Sequence, residues 1–234
     1  MSGTLFGLGL GPGDPELVTP KARRILRRVG VVAYPAPDIG PSFARSIVAS
    51  LLTPALTEIA IRVPMVADRA PAQAAYDAGA AEIARHLQRG ADVAVLCQGD
   101  PFFYGSFIQL FERLASRYRT EIVPGVSSLM AGAAAAHAPL AVRDEALLVL
   151  PAPIAEAELE RRLADADSAV IIKLGRHFAK VRRVLQRLAR MHQAIYVERA
   201  SLGAERVLPL DAVDAATVPY FSLVLLRGDR EVRS

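Results

Sequence analysis

DVAVLCQGDPFFYGSF, residues Asp92–Phe107, is the stretch whose reading decides the fold. Its first part, Asp92 to Cys97, is a near-continuous apolar run of the kind found in a parallel strand buried on both faces. Gly99 then lets the backbone turn sharply. Pro101 is expected to start the next helix, with Asp100 placed to cap it. Phe107, Leu110, Phe111 and Leu114 follow at helical spacing. Strand, glycine turn and helix in this order point to an open α/β sheet, which binds ligands at the carboxyl ends of its strands.

The same rhythm extends outward in both directions. Leu5 to Leu10 reads as a short apolar strand running into glycines. Thr19 is an N-cap and Pro20 a first helical residue, where a missing N–H does no harm. Ala22, Ile25, Leu26 and Val29 form that helix's buried stripe, Gly30 ends it, and Val31 to Tyr34 is the next strand. A helix over Gln73–Gln88 presents Ala80, Ile83 and Leu87 on one face, with Gly90 after its end. Glu121 to Val123 is a strand, and Pro124-Gly125 turns it into an alanine-rich helix from Ser127.

Beyond that point the pattern changes. Strands are expected at Leu147–Leu150, Ala169–Ile172, Ile195–Val197, Arg206–Leu208 and Phe221–Leu226, with two clear helices, Glu156–Leu163 and Phe178–Ala189. Strict alternation in the first half predicts a doubly wound parallel sheet. The strand-rich second half predicts a mixed sheet, and so a second α/β domain. The expected domains are residues 1–126 and 127–234.

Bulk properties narrow the function classes. Of 234 residues, 52% are hydrophobic and 22% charged, which excludes a disordered chain. Cys97 is the one cysteine, so neither an intrachain disulfide nor a cysteine-based zinc site can form. The start lacks a secretion signal, and the most apolar stretch, Leu129 to Leu140, is broken by His137 and Pro139 and is too short to span a bilayer. A soluble, cytoplasmic protein without a membrane partner is expected. The net charge of +4 comes mostly from arginines spread along helices (Arg23, Arg24, Arg27, Arg28; Arg182, Arg183, Arg187, Arg190), read as solvated faces. No module with interleaved aromatics suggests nucleic acid. The four histidines have no metal-ligand spacing, and no metal site is expected.

Three segments can carry chemistry. In GLGLGPGDPELVTP, residues 7–20, a dinucleotide motif G-x-G-x-x-G fails in both frames, because Pro12 or Asp14 stands where the third glycine belongs. A nucleotide-binding oxidoreductase is disfavoured on that ground, although a close backbone approach to some ligand stays open beside a plain tight turn. The turn CQGDPFFYGSF, residues 97–107, suits a ligand carrying a sulfonium or amino charge better than a phosphate, since it offers a carboxylate and aromatics. Of Phe102, Phe103 and Tyr104, at least one is expected in the core. In EIVPGVSSLMAG, residues 121–132, Ser127 or Ser128 is an ordinary N-cap or part of a site. Three glycine turns at carboxyl ends of strands in one sheet would converge on one crevice. No G-x-S-x-G elbow, Walker loop or C-x-x-C occurs. An enzyme without an obvious acid, base or nucleophile fits transfer from an already activated donor, where alignment dominates.

At these three segments the sequence strongly resembles the tetrapyrrole methylases, the class III S-adenosylmethionine-dependent methyltransferases. GLGLGPGDPELVTPKA is similar to the family's opening signature, GDPFFYG to its central one and VPGVSS to its third. The resemblance implies two α/β domains with the cofactor in a trough between them, and a homodimer. It implies that Pro12, Gly99, Asp100, Phe103, Ser127 and Ser128 lie at or near S-adenosylmethionine, with Gln98 contributing backbone contacts. Lys173 and Ala200 carry over at positions where relatives often have methionine and glycine. CQGDPFFYGSFIQLFERL is most similar to the branch that methylates precorrin-2 at C20 to give precorrin-3A in cobalamin biosynthesis. The same chemistry on the cobalt-containing ring of the anaerobic pathway, or at another precorrin carbon, is the alternative. The many carboxylates of a precorrin need cationic partners, for which Arg45, Arg62, Arg143, Arg176 and Arg199 are candidates. Water, Tyr34 or Tyr104 could accept the displaced proton, and no catalytic residue is assigned.

Overall fold

The computed structural model describes residues 2–64, 66 and 68–228. The chain divides into two compact units, Met1–Ser127 and Ser128–Ser234. The first holds β1 (Leu5–Gly9), α1 (Pro20–Leu26), β2 (Val31–Pro37), α2 (Phe43–Ile47), β3 (Thr57–Val63), α3 (Ala70–Gln88), β4 (Val93–Cys97), α4 (Phe107–Leu114) and β5 (Thr120–Val123). Its five strands are all parallel in the order β3-β2-β4-β1-β5.

Sequence explains the placement. β1 and β4 are buried along their whole length, as central parallel strands require. Two apolar clusters cover the sheet. On one face α1 and α2 contribute Ala22, Ile25, Leu26, Ala44 and Ile47. On the other, α3 and α4 contribute Tyr76, Ile83, Leu87, Phe107, Leu110 and Leu114. Thr19 does cap α1, its hydroxyl accepting the Ala22 N–H at 3.2 Å, and Pro20 occupies the first turn.

Two elements of this unit stand beyond those expected from the sequence. β3 is an edge strand in which buried Ile59 and Ile61 alternate with exposed Glu58, Ala60 and Arg62, a period of two that stands in the sequence. α2 spans five residues, too few for its apolar periodicity to show. α3 also begins three residues earlier than expected, at Ala70.

The second unit contains α5 (Ser128–Ala135), β6 (Leu147–Pro151), α6 (Glu156–Ala164), β7 (Ser168–Ile172), α7 (Phe178–Arg187), β8 (Ala194–Glu198), β9 (Arg206–Pro209) and β10 (Ser222–Leu226). Its order is β6-β7-β10-β8-β9, with β6 and β7 parallel and the other pairs antiparallel. α6 and α7 pack on one face, burying Leu159, Leu163, Phe178, Val181 and Leu185. α5 packs on the other through Leu129. The α7 arginines are not merely solvated: Arg183 meets Glu156 at 2.9 Å, and Arg187 meets Glu156 at 3.0 Å and Glu160 at 2.6 Å, so they tie α7 to α6. Among the described residues no helix is long and apolar enough to cross a membrane.

Candidate active site

The sheet of the first unit has a topological switch point. β1 leads to α1 on one face and β4 leads to α4 on the other, yet β1 and β4 are neighbours. Chains leaving adjacent strands in opposite directions open a crevice at the carboxyl edge, which is where open α/β sheets bind ligands.

Glycine backbone closes the floor of that crevice. Gly99 donates its N–H to the Gly11 carbonyl at 2.7 Å, and Gly11 returns the bond at 3.3 Å. The turn after β5 approaches even more closely. A Cβ on Gly125 would stand 2.1 Å from the Gly99 carbonyl oxygen and 2.7 Å from Gly9 Cα, so no side chain fits there. Asp100 completes the lock: one carboxylate oxygen accepts the Phe102 N–H at 2.9 Å and the other the Gly125 N–H at 3.0 Å. The three glycine turns therefore do converge.

Gly99 itself is different. Its φ is +67°, and a Cβ built on it would meet nothing within 4 Å. Its peptide is held from both sides while its Cα faces open space, a cradle that a side chain would fill. Pro12 is buried beside Gly11, and Gln98 is half-buried between Cys97 and Gly99. Burial pushes the Cys97 thiol up to about 12, so it offers no thiolate nucleophile at neutral pH.

Other expectations need correction. Pro101 does not open a helix: α4 begins at Phe107, and Asp100 pins a turn instead of capping a helix. None of Phe102, Phe103 and Tyr104 is buried. Phe102 lies against Phe111 at 5.0 Å between ring centroids, whereas Phe103 meets Tyr104 edge-on at 5.1 Å. These rings are displayed because Tyr104, at φ +56°, and Gly105 bend the chain before the helix can start. Ser127 is half-buried ahead of α5, which begins at Ser128.

Lys173 and Ala200 belong to the second unit. Lys173 follows the last residue of β7 in a left-handed conformation, φ +59°, and burial lowers its pKa. Ala200 is buried just past β8. Because β10 separates β7 and β8 and runs antiparallel to both, these two residues emerge at the same end of the sheet.

Two of the arginine candidates hold the chain together. Arg62 donates to the carbonyls of Pro37 and Gly40, each at 2.9 Å, and so clamps the loop after β2. Arg45 forms a fork on Glu58 at 2.6 and 2.8 Å, and Tyr34 donates its hydroxyl to the same carboxylate at 2.7 Å. Burial first, then Glu58, raises the Tyr34 pKa, which removes the phenol as a base at neutral pH. Arg45 holds Glu58 at about 2 against an ordinary 4.5. A depressed carboxylate contributes stability that is complete above the unfolded value and lost as pH falls toward the folded one. The stability difference between wild type and Glu58→Gln should be constant above pH 4.5 and shrink between pH 4.5 and about 2, as urea titrations at each pH would measure. Arg143 and Arg176 are exposed, and Arg199 lies 3.1 Å from Glu198.

A switch-point crevice floored by interlocked glycine turns is the arrangement in which open α/β sheets hold small-molecule ligands at their carboxyl edge. Residues 4–215 match the family described as Tetrapyrrole (Corrin/Porphyrin) Methylases, and the chain belongs to it. It is 46% identical to the cobalamin biosynthesis protein CobIJ of Mycobacterium tuberculosis over 97% of its own length, but spans only 46% of that protein. It is 42% identical to a precorrin-2 C(20)-methyltransferase of a Sinorhizobium species, covering 97% of this chain and 96% of the relative. Among solved structures it is similar to the uroporphyrin-III C-methyltransferase of Thermus thermophilus in complex with S-adenyl homocysteine, with a TM-score of 0.68, 26% identity, and coverage of 96% and 92%.

Proposed function

We propose that this chain is an S-adenosylmethionine-dependent C-methyltransferase that converts precorrin-2 to precorrin-3A by methylating C20. The observation that carries the reading is the open space at Gly99 Cα, set between turns that are hydrogen-bonded to one another. The full-length likeness to the Sinorhizobium enzyme supports the choice of substrate.

When bound, S-adenosylmethionine supplies a methyl on a positively charged sulfur, and the departing thioether is neutral. The protein need not protonate a leaving group, so its task is to align and to exclude water. Gly99 leaves the cofactor room. Asp100 fixes the turns through its two N–H bonds while keeping a negative charge beside the site, which favours a cation. Pro12, Gln98, Phe103, Ser127, Ser128, Lys173 and Ala200 are assigned to the cofactor with them, on the family resemblance. No side chain is assigned as base for the proton displaced from C20. The resemblance also supports a homodimer acting in the cytoplasm.

Thermal unfolding with added ligand tests the cofactor assignment. S-adenosylhomocysteine at 100 times its dissociation constant should stabilise the protein by about 2.7 kcal/mol. That corresponds to about 5–10 °C for a chain of this size. NAD at the same concentration should leave the midpoint where it was. A shift with NAD alone would return the site to the dinucleotide binders.

A further inference from the structure

One end of the second sheet combines strain, positive charge and exposed aromatic surface. Ile172 pairs with Leu223 and Glu198 with Ser222, so the segments that follow β7 and β8 and the one that precedes β10 all emerge there. Three non-glycine residues of those segments, Lys173, Arg199 and Ser201, have φ of 59°, 51° and 68°. Left-handed backbone at such residues persists where the surroundings over-determine it, and it gathers at ligand sites.

Glu198 lies at the centre and is 3% exposed. Oε2 accepts the hydroxyl of fully buried Tyr196 at 2.5 Å, and Oε1 faces Arg199 Nη1 at 3.1 Å and Arg206 Nη1 at 3.5 Å. Burial, and then the bond to Glu198, raises the Tyr196 pKa, so the phenol stays a donor. One buried negative charge thus faces two guanidiniums, whose side chains remain 42% and 54% exposed. The group keeps a net positive charge on two partly exposed guanidiniums, each with more N–H donors than its contact with Glu198 uses. Stability alone does not call for a buried carboxylate, because an apolar residue commonly serves as well.

Aromatic surface adjoins the cations. Tyr220 and Phe221 are both exposed, with ring centroids 5.5 Å apart at 74°. The Phe221 carbonyl accepts the Arg199 backbone N–H at 2.8 Å, which ties the segment before β10 to the one after β8. Paired arginines recognise carboxylates, and an aromatic wall suits a large flat ring.

We propose that Glu198 is a positioning residue that aims Arg199 and Arg206 at peripheral carboxylates of the tetrapyrrole, with Tyr220 and Phe221 as an apolar wall for the macrocycle. This rests on the methyltransferase reading above. The arginines act by direct contact, and Glu198 acts through them.

Steady-state kinetics with precorrin-2, together with calorimetry of S-adenosylhomocysteine binding, tests it in the full chain. Arg199→Ala and Arg206→Ala should each raise KM by about 10-fold, the loss of one charge-assisted contact. The double variant should raise it by about 100-fold, with a much smaller change in kcat and an unchanged dissociation constant for S-adenosylhomocysteine. Glu198→Gln should raise KM as well, and Glu198→Asp should recover part of the loss. Should Glu198→Gln fail to fold, the arginine variants decide, since both side chains are at the surface. An unchanged KM in a folded double variant would overturn the proposal, as would a parallel loss of S-adenosylhomocysteine affinity. A wild-type protein that methylates no tetrapyrrole overturns the functional reading itself; an active wild type with indifferent variants overturns only this inference.

Discussion

Gly125→Val is expected to lower the unfolding midpoint by about 6–12 °C and to remove S-adenosylhomocysteine binding with it. The Cβ would stand 2.1 Å from the Gly99 carbonyl oxygen and 2.7 Å from Gly9 Cα, and both neighbours are backbone. Neither can move without breaking the paired bonds between Gly11 and Gly99 or the ladder between β1 and β4. The Gly125 N–H would also be pulled from Asp100. Overpacking typically costs about 1–3 kcal/mol, and a clash against backbone on two sides places this one at the top of that range, about 3 kcal/mol. That figure converts to the stated shift for a protein of this length. Circular dichroism melts would measure it, and a midpoint within about 2 °C of wild type would mean that the turns are not in contact.

The second large effect should leave the fold standing. Gly99→Val places a branched side chain where no protein atom lies within 4 Å. Its cost to stability is backbone strain, because φ is +67°, and amounts to about 1–3 kcal/mol. Cofactor affinity should nonetheless fall by about 100-fold or more, since the side chain enters the space assigned to the ligand. Gly99→Asn separates the two causes. Asparagine tolerates left-handed backbone, so the midpoint should recover while the affinity stays low. Recovery of both would show that the space beside Gly99 is not where the cofactor binds.

These contrasting glycines mark the limit of what could be read from the chain alone. Period and punctuation revealed β4 and α1, because an apolar run and a Thr-Pro cap are local signals. They also indicated that three glycine turns belong to one edge of a parallel sheet. They could not distinguish Gly125, which excludes a side chain because two other turns press on it, from Gly99, which has open space around it. That difference depends on contacts between residues far apart in sequence. Asp100 departs from the helix-cap expectation for a related reason. An Asp-Pro pair is the local signature of a helix start, but the carboxylate is claimed by Gly125, 25 residues away, and the helix waits until Phe107. Glu198 reads locally as a charged strand end, with nothing to mark it as buried. Tyr196 and Arg199 are its neighbours in the chain, but the partner that completes the group, Arg206, reaches it only through the register between β8 and β9.

The most direct test of the account is methyl transfer itself. Purified protein is incubated anaerobically with S-adenosylmethionine labelled with carbon-13 in its methyl group and with metal-free precorrin-2, and the product is analysed by mass spectrometry and carbon-13 NMR. The expected result is a mass increase of one methyl and a single new labelled resonance at C20. A label at another carbon, or transfer only to the cobalt-containing ring, would contradict it.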